Sequence, residues 1–358
     1  MANMLQIFSI YFLVFACIFD GIHVNAANVQ GLFVFGSSVV DNGNNNFIPG
    51  TSAKANYAPY GVDFPSGPTG RFSNGKNIAD LLAERLGLPL IPPFDDPNTK
   101  GPTIVHGVNF GSGGSGILNE TGSLLGKVTS LNSQIGNFET ITLPALEAQL
   151  KSQRTQILPN YLFMIAAGNN DYLLNYFLGR HFLTPQDFAA KLLFTYSNQL
   201  QRLYKLGARK FMLVSVYPLG CSPVISHGVG CLPVQNVAVS IFHEQLINTV
   251  NGLKQQLPGV DIVVVNSVKI ITDIISNPAA SGFSNVNGAC CQLSLNGASC
   301  QQNGAVCNDR KSYVYFDGQH NTEALNAAFL AHSYSSDDLS HVYPKNLQKL
   351  LNNTSTHF

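Results

Sequence analysis

The sequence has few charged side chains and no excess of either sign. Lysine plus arginine and aspartate plus glutamate number 20 each among 358 residues, and only 11% of the residues are charged. Proteins that bind nucleic acid or an anionic membrane surface carry a concentrated basic field, because they must neutralise the phosphates of their partner. This composition therefore argues against a nucleic-acid partner.

Long apolar runs are also missing, except at the start of the chain. Residues 5–19 are almost uninterruptedly apolar, no lysine or arginine precedes them, and small residues suited to cleavage end at Ala26. A run of this length is too short for a membrane span and is typical of a secretory signal peptide. We therefore predict a signal peptide over residues 1–26 and a secreted, extracellular protein with no stable membrane span.

The cysteines lack the C-x-x-C spacing and the nearby histidines that would indicate a metal site. Six cysteines follow the signal sequence: Cys221, Cys231, Cys290, Cys291, Cys300 and Cys307. An even number in a chain that enters an oxidising compartment predicts three disulfides, although about 15 pairings are possible. Sequons at Asn119, Asn352 and Asn353 further predict a glycoprotein.

No linker, composition shift or internal repeat divides residues 27–358, so we predict a single domain. Apolar, β-rich runs alternate with amphipathic stretches along this region. The predicted strands are LFVFG at residues 32–36 and the runs at 161–168, 210–216 and 261–267, and the predicted helices are residues 78–86, 184–206 and 234–257. This alternation predicts an α/β fold with a central parallel sheet covered on both faces.

Two regions are predicted to lack regular structure. Residues 277–308 are rich in glycine, asparagine, serine and cysteine, which is typical of a long loop held by disulfides. The polar tail after Tyr343 is predicted to fray.

Three polar clusters directly follow predicted strands. Ser37 and Ser38 follow the first, residues 168–171 (GNND) follow the second, and residues 317–320 (DGQH) follow the run YVYF. Taken alone, each cluster has an ordinary explanation as a helix cap or a turn. Reactive groups collect, however, where loops leave the carboxyl ends of strands in an open α/β sheet.

Together these clusters supply every part that an acyl-transfer site requires. They offer a hydroxyl, a base, a carboxylate that orients the base, and donors for an oxyanion. Asp317 and His320 are three residues apart, which lets the carboxylate hold the imidazole in the useful tautomer. We therefore predict that acid and base come from one loop.

Five segments occur in a family-specific order: FVFGSSVVDNGNNN, GPTGRFSNGKNIADLLAERLGLP, GVNFGSGGSGIL, AAGNNDY and YFDGQHNTEALN. In this order they resemble the sequence blocks of the plant GDSL esterase/lipases, which belong to the SGNH hydrolases. The resemblance extends over about residues 32–341. It implies a three-layer α/β/α sandwich of flavodoxin-like type and a serine carboxyl-ester hydrolase that needs no metal or organic cofactor.

The resemblance also implies a role for individual residues. Ser38 would be the nucleophile, His320 the base and Asp317 the carboxylate that orients the base. The oxyanion would be bound by the backbone N–H groups of Ser38 and Gly113 and by the side-chain amide of Asn170. The expected partner is a small-molecule or lipid ester substrate, and the protein is expected to be a monomer.

Two positions depart from the family pattern. Ser37 stands where the family has aspartate, and Asn321 stands where it has proline after the histidine. Ser37 is a weaker hydrogen-bond acceptor than a carboxylate, and Asn321 is expected to cap the following helix through its side chain. Neither change removes a reacting group, so we expect them to tune catalysis.

Several alternatives remain at the level of the sequence. An acyltransferase would use the same acyl-enzyme, and a catalytically impaired binding protein could keep the hydrolase fold. The spacing Gly111-x-Gly113-x-x-Gly116 fits a dinucleotide fingerprint, but no helical pattern follows it and no acidic residue closes a second strand. The G-x-S-x-G elbow of the α/β-hydrolases is absent.

Overall fold

The central sheet contains the four strands expected from the apolar runs. In the computed structural model, which describes residues 29–179 and 182–352, these are β1 (Gly31–Gly36), β2 (Tyr161–Ala166), β3 (Lys210–Val214) and β4 (Asp261–Val265). They pair in parallel in the order β1-β2-β3-β4. The predicted signal peptide lies outside the described residues.

Both edges of this sheet are extended by shorter segments. Beside β1, residues 106–110 run parallel to it, and Phe110 N–H donates to the carbonyl of Val34 over 2.7 Å. Beside β4, a short antiparallel strand pairs Val342 with Val265. The sheet is therefore mostly parallel, as predicted, with one antiparallel strand at its edge.

The connections contain eight helices of six or more residues within the described part of the chain. They are α1 (Ile78–Arg85), α2 (Leu131–Asn137), α3 (Leu143–Leu150), α4 (Pro185–Leu206), α5 (Pro233–Gln256), α6 (Ser267–Ser276), α7 (Glu323–Ser335) and α8 (Leu347–Asn352). Shorter helical segments are Arg154–Ile157, Asn169–Asp171 and Pro223–Ser226, and π-helical turns occur at Phe138–Thr142 and Tyr172–Tyr176. No helix among the described residues is long and apolar enough to cross a membrane.

The local signals at helix ends act as expected. Thr184 accepts a hydrogen bond from the N–H of Asp187 and caps α4, Pro185 occupies its first position, and Gly207 with φ 122° ends it. Helices α2, α4 and α5 pack in one group and α1, α7 and α8 in another. Because the residues of β1 to β4 are almost all buried, both faces of the sheet are covered, which confirms the α/β/α prediction.

The strand that precedes Asp317 belongs to a second, separate sheet. Strands β5 (Asn285–Ala289) and β6 (Tyr313–Tyr315) form a two-stranded parallel sheet, and Val342–Tyr343 at the edge of the central sheet is β7. The run YVYF therefore contains a strand before Asp317, as predicted, but this strand lies outside the central sheet. The prediction of an irregular loop over residues 277–308 was also incomplete, because β5 lies within it.

The cysteines form three disulfides, as predicted. Cys290 pairs with Cys307, Cys291 with Cys300, and Cys221 with Cys231. The first two disulfides join a small second core that also contains Tyr60, Phe72 and Phe316. This second core lies directly under the loop that carries Asp317 and His320, since Phe316 immediately precedes that loop.

The tail after Tyr343 is ordered as far as the structure describes it. Helix α8 places Leu347, Leu350 and Leu351 in the main core, each with 0% exposure. The prediction that this tail frays was wrong up to residue 352, because these leucines occur at helical spacing and are buried.

Candidate active site

Ser38 lies in the turn that leaves the carboxyl end of β1. The strand ends at Gly36, where a Cβ atom would meet the carbonyl oxygen of Ala166 on β2 at 2.1 Å, so only glycine fits. The N–H of Ser37 then donates to that same carbonyl over 3.0 Å, and Val40 N–H closes the turn on the carbonyl of Ser37. Ser38 is 7% exposed at the bottom of a cleft.

Asp317 and His320 are held by the turn that follows β6. One carboxylate oxygen of Asp317, Oδ1, accepts the backbone N–H groups of Gln319 and His320 over 2.8 and 2.7 Å. The other, Oδ2, lies 2.7 Å from Nδ1 of His320. The carboxylate thus shapes its own loop with one oxygen and orients the imidazole with the other.

The imidazole links this loop to the nucleophile candidate. Nε2 of His320 lies 2.8 Å from Oγ of Ser38. A carboxylate at Nδ1 favours the tautomer with its hydrogen on Nδ1, which leaves Nε2 free to accept the proton of the Ser38 hydroxyl. The three residues predicted from separate sequence blocks therefore form one continuous hydrogen-bonded chain.

Tyr60 also takes part in this series of hydrogen bonds, which the sequence did not predict. Its hydroxyl donates to Oδ2 of Asp317 over 2.7 Å and accepts the N–H of Cys300 over 3.1 Å. Burial and the Asp317 charge raise the pKa of Tyr60 well above its ordinary value, so the hydroxyl stays protonated and donates. Its partner Asp317 is 257 residues away in the sequence, and no local sequence pattern predicts such a contact.

Phe72 covers the imidazole of His320. The two ring centroids are 4.9 Å apart with their planes at 38°. Phe72 belongs to the GRFSNG part of the second sequence block. The sequence predicts the block, but it does not predict the contact of this aromatic ring with His320. The ring limits the access of water to one side of the base.

The glycine turn after residue 110 contains Gly113, the predicted oxyanion donor, and its neighbour Gly114. The N–H of Gly113 is not free, because it donates to Oδ2 of Asp41 over 3.0 Å. Gly114 instead lines the same cleft as Ser38 and Asn170, and its N–H has no acceptor in the described part of the chain. The free N–H in this cleft is therefore that of Gly114 and not that of Gly113.

Gly114 also has a backbone that other residues rarely adopt. Its φ is +84°, and a Cβ atom there would lie 2.7 Å from Cδ1 of Leu125. The dinucleotide-like spacing from Gly111 to Gly116 does not begin a helix, since the next α-helix is α2 at Leu131. The context that a nucleotide site requires is absent from this segment.

Asn170 stands at the end of β2, in the short helix Asn169–Asp171. One hydrogen of its side-chain amide is donated to the carbonyl of Ser115 over 2.9 Å, which fixes the amide plane. The amide has two hydrogens, so the second is available to a ligand in the cleft. Asp171 supports this arrangement from below, because its carboxylate accepts the N–H groups of Ile117 and Leu118.

The cleft above these groups has a volume of about 160 Å³. Lys54, Phe72, Gly114, Asn170 and His320 line it together with Ser38, and among the described residues of this lining there is no other lysine, no arginine, no aspartate and no glutamate. Larger cavities in the described part of the chain, near Asp63 and Arg310 and beside α7, are not lined by Ser38, Asp317 or His320. The small cleft can enclose only the reacting part of a substrate.

The two departures from the family pattern lie close to the site without breaking it. Ser37 is 1% exposed, and its hydroxyl has no partner among the described residues. The expectation that Asn321 caps the following helix was wrong, because Oγ1 of Thr322 accepts the N–H of Leu325 and caps α7. The Asn321 amide instead donates to the side chain of Asn326 over 3.1 Å.

Comparison with known proteins agrees with this geometry. The profile of the family described as GDSL-like lipase/acylhydrolase matches residues 32–332. GDSL esterase/lipase At1g71250 of Arabidopsis thaliana is 40% identical over 337 residues, which cover 90% of this chain and 89% of that protein. GDSL esterase/lipase 7 of the same plant is 40% identical over 333 residues, which cover 89% and 91%. The chain therefore belongs to the GDSL-like lipase/acylhydrolase family of ester hydrolases.

Proposed function

We propose that this protein is a secreted carboxyl-ester hydrolase that acts through an acyl-enzyme on Ser38. The observation that carries the proposal is the chain of hydrogen bonds from Ser38 Oγ through the His320 imidazole to Asp317. His320 takes the proton of Ser38 as Oγ attacks the ester carbonyl, and then donates it to the leaving alcohol. Water, activated by the same imidazole, releases the acid.

Three donors would stabilise the oxyanion of the tetrahedral intermediate. They are the backbone N–H groups of Ser38 and Gly114 and the free amide hydrogen of Asn170. Each such donor is worth roughly 3 kcal/mol in the transition state. Asp317, fully buried and bonded to two backbone N–H groups, stabilises the imidazolium without taking its proton.

The substrate we propose is a small-molecule or lipid ester, and the reaction as written needs no metal or organic cofactor. Its acyl or alcohol part extends beyond the cleft, because about 160 Å³ is too small for a large ligand. Three disulfides support an oxidising destination. We therefore propose removal of residues 1–26 and an extracellular, monomeric domain over residues 27–358.

A fluorophosphonate probe tests the proposal directly, because it reacts only with an activated serine. We expect stoichiometric labelling of the wild-type protein, with the label mapped to Ser38, and hydrolysis of p-nitrophenyl acetate. Ser38→Ala should abolish both while the free energy of unfolding changes by no more than about 1 kcal/mol.

Ser37→Ala is the matched control, because it removes the neighbouring hydroxyl, which has no partner among the described residues. This variant should still be labelled at Ser38. Folded wild-type protein that neither labels nor hydrolyses would instead indicate a binding protein with a hydrolase fold. Turnover retained in Ser38→Ala would contradict the proposed nucleophile.

A further inference from the structure

The proposed reaction does not use the polar segment that follows the Ser38 turn. This 41–45 segment has the sequence DNGNN, and Asp41, Asn44 and Asn45 are each 0 to 1% exposed. Buried polar side chains are costly unless they are hydrogen-bonded, so their partners indicate what they are for.

All three side chains reach the glycine turn that leads to Gly114. The Asn44 amide donates to the carbonyls of Asn109 and Gly111 over 2.9 and 2.8 Å. Asp41 Oδ2 accepts the N–H of Gly113, while its Oδ1 accepts the N–H groups of Gly43 and Asn44.

Asn45 makes the bond that bears on the oxyanion donor. Its amide donates to the carbonyl of Gly113 over 2.9 Å, and its Oδ1 accepts the hydroxyl of Ser112 over 2.6 Å. The carbonyl of Gly113 and the N–H of Gly114 belong to one planar peptide unit, and this unit is trans. In a trans peptide the C=O and N–H bonds point in opposite directions.

Whatever holds the Gly113 carbonyl therefore also sets the direction of the Gly114 N–H. We infer that Asn45, with Asp41 holding the other side of Gly113, is a positioning residue that aims the Gly114 N–H at the oxyanion. This inference rests on the proposed function. It gives Asp41 and Asn45 a purpose in catalysis, because a donor that is already aimed costs no reorganisation during the reaction.

Asn45→Asp is the discriminating variant. It keeps the shape and the acceptor for Ser112 but loses the amide hydrogens that hold the carbonyls of Gly113 and Ala53. We expect kcat per active site to fall roughly 10- to 100-fold, with KM within about threefold, because one oxyanion donor is misdirected. A trifluoromethyl ketone, which forms a tetrahedral oxyanion on the serine, should lose affinity by a similar factor. Active sites are counted by end-point fluorophosphonate labelling, so misfolded protein does not enter kcat.

Asn42→Asp is the matched control, because Asn42 is also buried but donates to the carbonyl of Ile91, away from the glycine turn. Its kcat per labelled site should stay within about threefold of wild type. An unchanged kcat and inhibitor affinity in Asn45→Asp, or equal losses in both variants, would overturn the inference.

A milder variant keeps the question open to test if Asn45→Asp does not fold. Ser112→Ala removes the hydroxyl that fixes the orientation of the Asn45 amide and that also accepts the N–H of Thr129. It should lower kcat and inhibitor affinity together, by roughly threefold to tenfold, with KM nearly constant. Loss of neither quantity would overturn the inference. Absence of labelling in the wild type would contradict the proposed function itself, before Asn45 is tested.

Discussion

The hydroxyl of Tyr60 and the imidazole of His320 share one acceptor, Oδ2 of Asp317, each at 2.7 Å. Tyr60 therefore fixes the carboxylate that orients the His320 imidazole, although it makes no hydrogen bond to Ser38. The same hydroxyl is tied to the disulfide-linked loop through the N–H of Cys300. Asp317 is thus held from its own turn by backbone donors and from the second core by a side chain.

Tyr60→Phe should weaken catalysis without destroying it. The ring still fills its place beside Phe72 and Phe316, but Asp317 loses one donor and the Cys300 N–H loses its acceptor. We expect kcat to fall roughly 3- to 30-fold and the free energy of unfolding by about 1 to 2 kcal/mol. Steady-state kinetics with active-site titration measure the first quantity, and urea unfolding measures the second. An unchanged kcat would show that the backbone donors suffice.

Lys54 predicts a preference for esters that carry a negative charge. It is the only lysine or arginine that lines the cleft, and no carboxylate in the described residues lies within salt-bridge distance of its ammonium. At low salt, Lys54→Met should lower the ratio of kcat/KM for p-nitrophenyl hemisuccinate over p-nitrophenyl acetate by roughly threefold to tenfold.

Two comparisons control for this effect. Lys205→Met removes an exposed lysine in the last turn of α4 and should leave the ratio unchanged. High salt should shrink the wild-type preference, since exposed charges are screened within about 10 Å at 0.1 M ionic strength. A ratio that does not respond to Lys54→Met would show that its ammonium does not face the substrate.

The disulfide Cys291–Cys300 should matter for activity as well as for stability. It closes a loop with a sequence separation of 9, whose loss costs about 2 to 3 kcal/mol in the loop-entropy view. The double variant Cys291→Ser/Cys300→Ser should therefore unfold at a lower temperature than the wild type. It should also show a lower kcat while still folded, because without the disulfide the loop that carries the backbone N–H of residue 300 is held less firmly against the Tyr60 hydroxyl. Circular dichroism verifies folding at the assay temperature, and full activity in the folded variant would contradict the link.

Asp171 predicts how stability changes with pH. Burial raises the pKa of its carboxyl from 3.8 to about 6, although three hydrogen-bond donors oppose the rise. Because the pKa is higher in the folded than in the unfolded chain, the stability that this group contributes is full below about pH 4. It is lost as the pH rises through about 6.

Asp171→Asn removes that titration. From about pH 4 to about pH 7.5, the unfolding free energy of the wild type should therefore fall by up to about 3 kcal/mol relative to that of the variant. Urea unfolding at several pH values measures the difference. A difference that is constant over this range would show that the N–H groups of Ile117 and Leu118 keep the carboxylate charged throughout.

Much of the fold could be predicted from the sequence because its signals are local. The runs that became β1 to β4 are continuously apolar, as strands buried on both faces must be, and their ends fall within three residues of the predicted ends. The N-cap Thr184 and the glycine at position 207 that ends α4 are likewise local signals, because they lie next to the helix in the sequence. Nothing local, however, tells which sheet a three-residue strand such as Tyr313–Tyr315 joins.

The site shows the same division between local and distant information. The contact of Asp317 with His320 follows from their spacing. The family resemblance predicted that Ser38 and Asn170 belong to one site, and both line the same cleft. Asp41 makes Gly113 different from its neighbour Gly114, because its carboxylate accepts a hydrogen bond from the Gly113 N–H. The two residues are 72 positions apart in the sequence. Hydrogen bonds of this range leave no trace in spacing or composition, so the sequence could not rank two adjacent glycines.

The distance along the chain between Ser38 and His320 bears on when the enzyme becomes active during synthesis. The two residues are 282 positions apart, and β2, the strand that pairs with β1 in the central sheet, begins about 130 residues after β1. Chains of this size emerge from the ribosome over many seconds. Ser38 is therefore made early, and its hydrogen-bond partner His320 only when nearly the whole polypeptide has been translated. With the roles proposed above, a truncated chain that stops before residue 317 would contain the nucleophile without its base and would not hydrolyse esters.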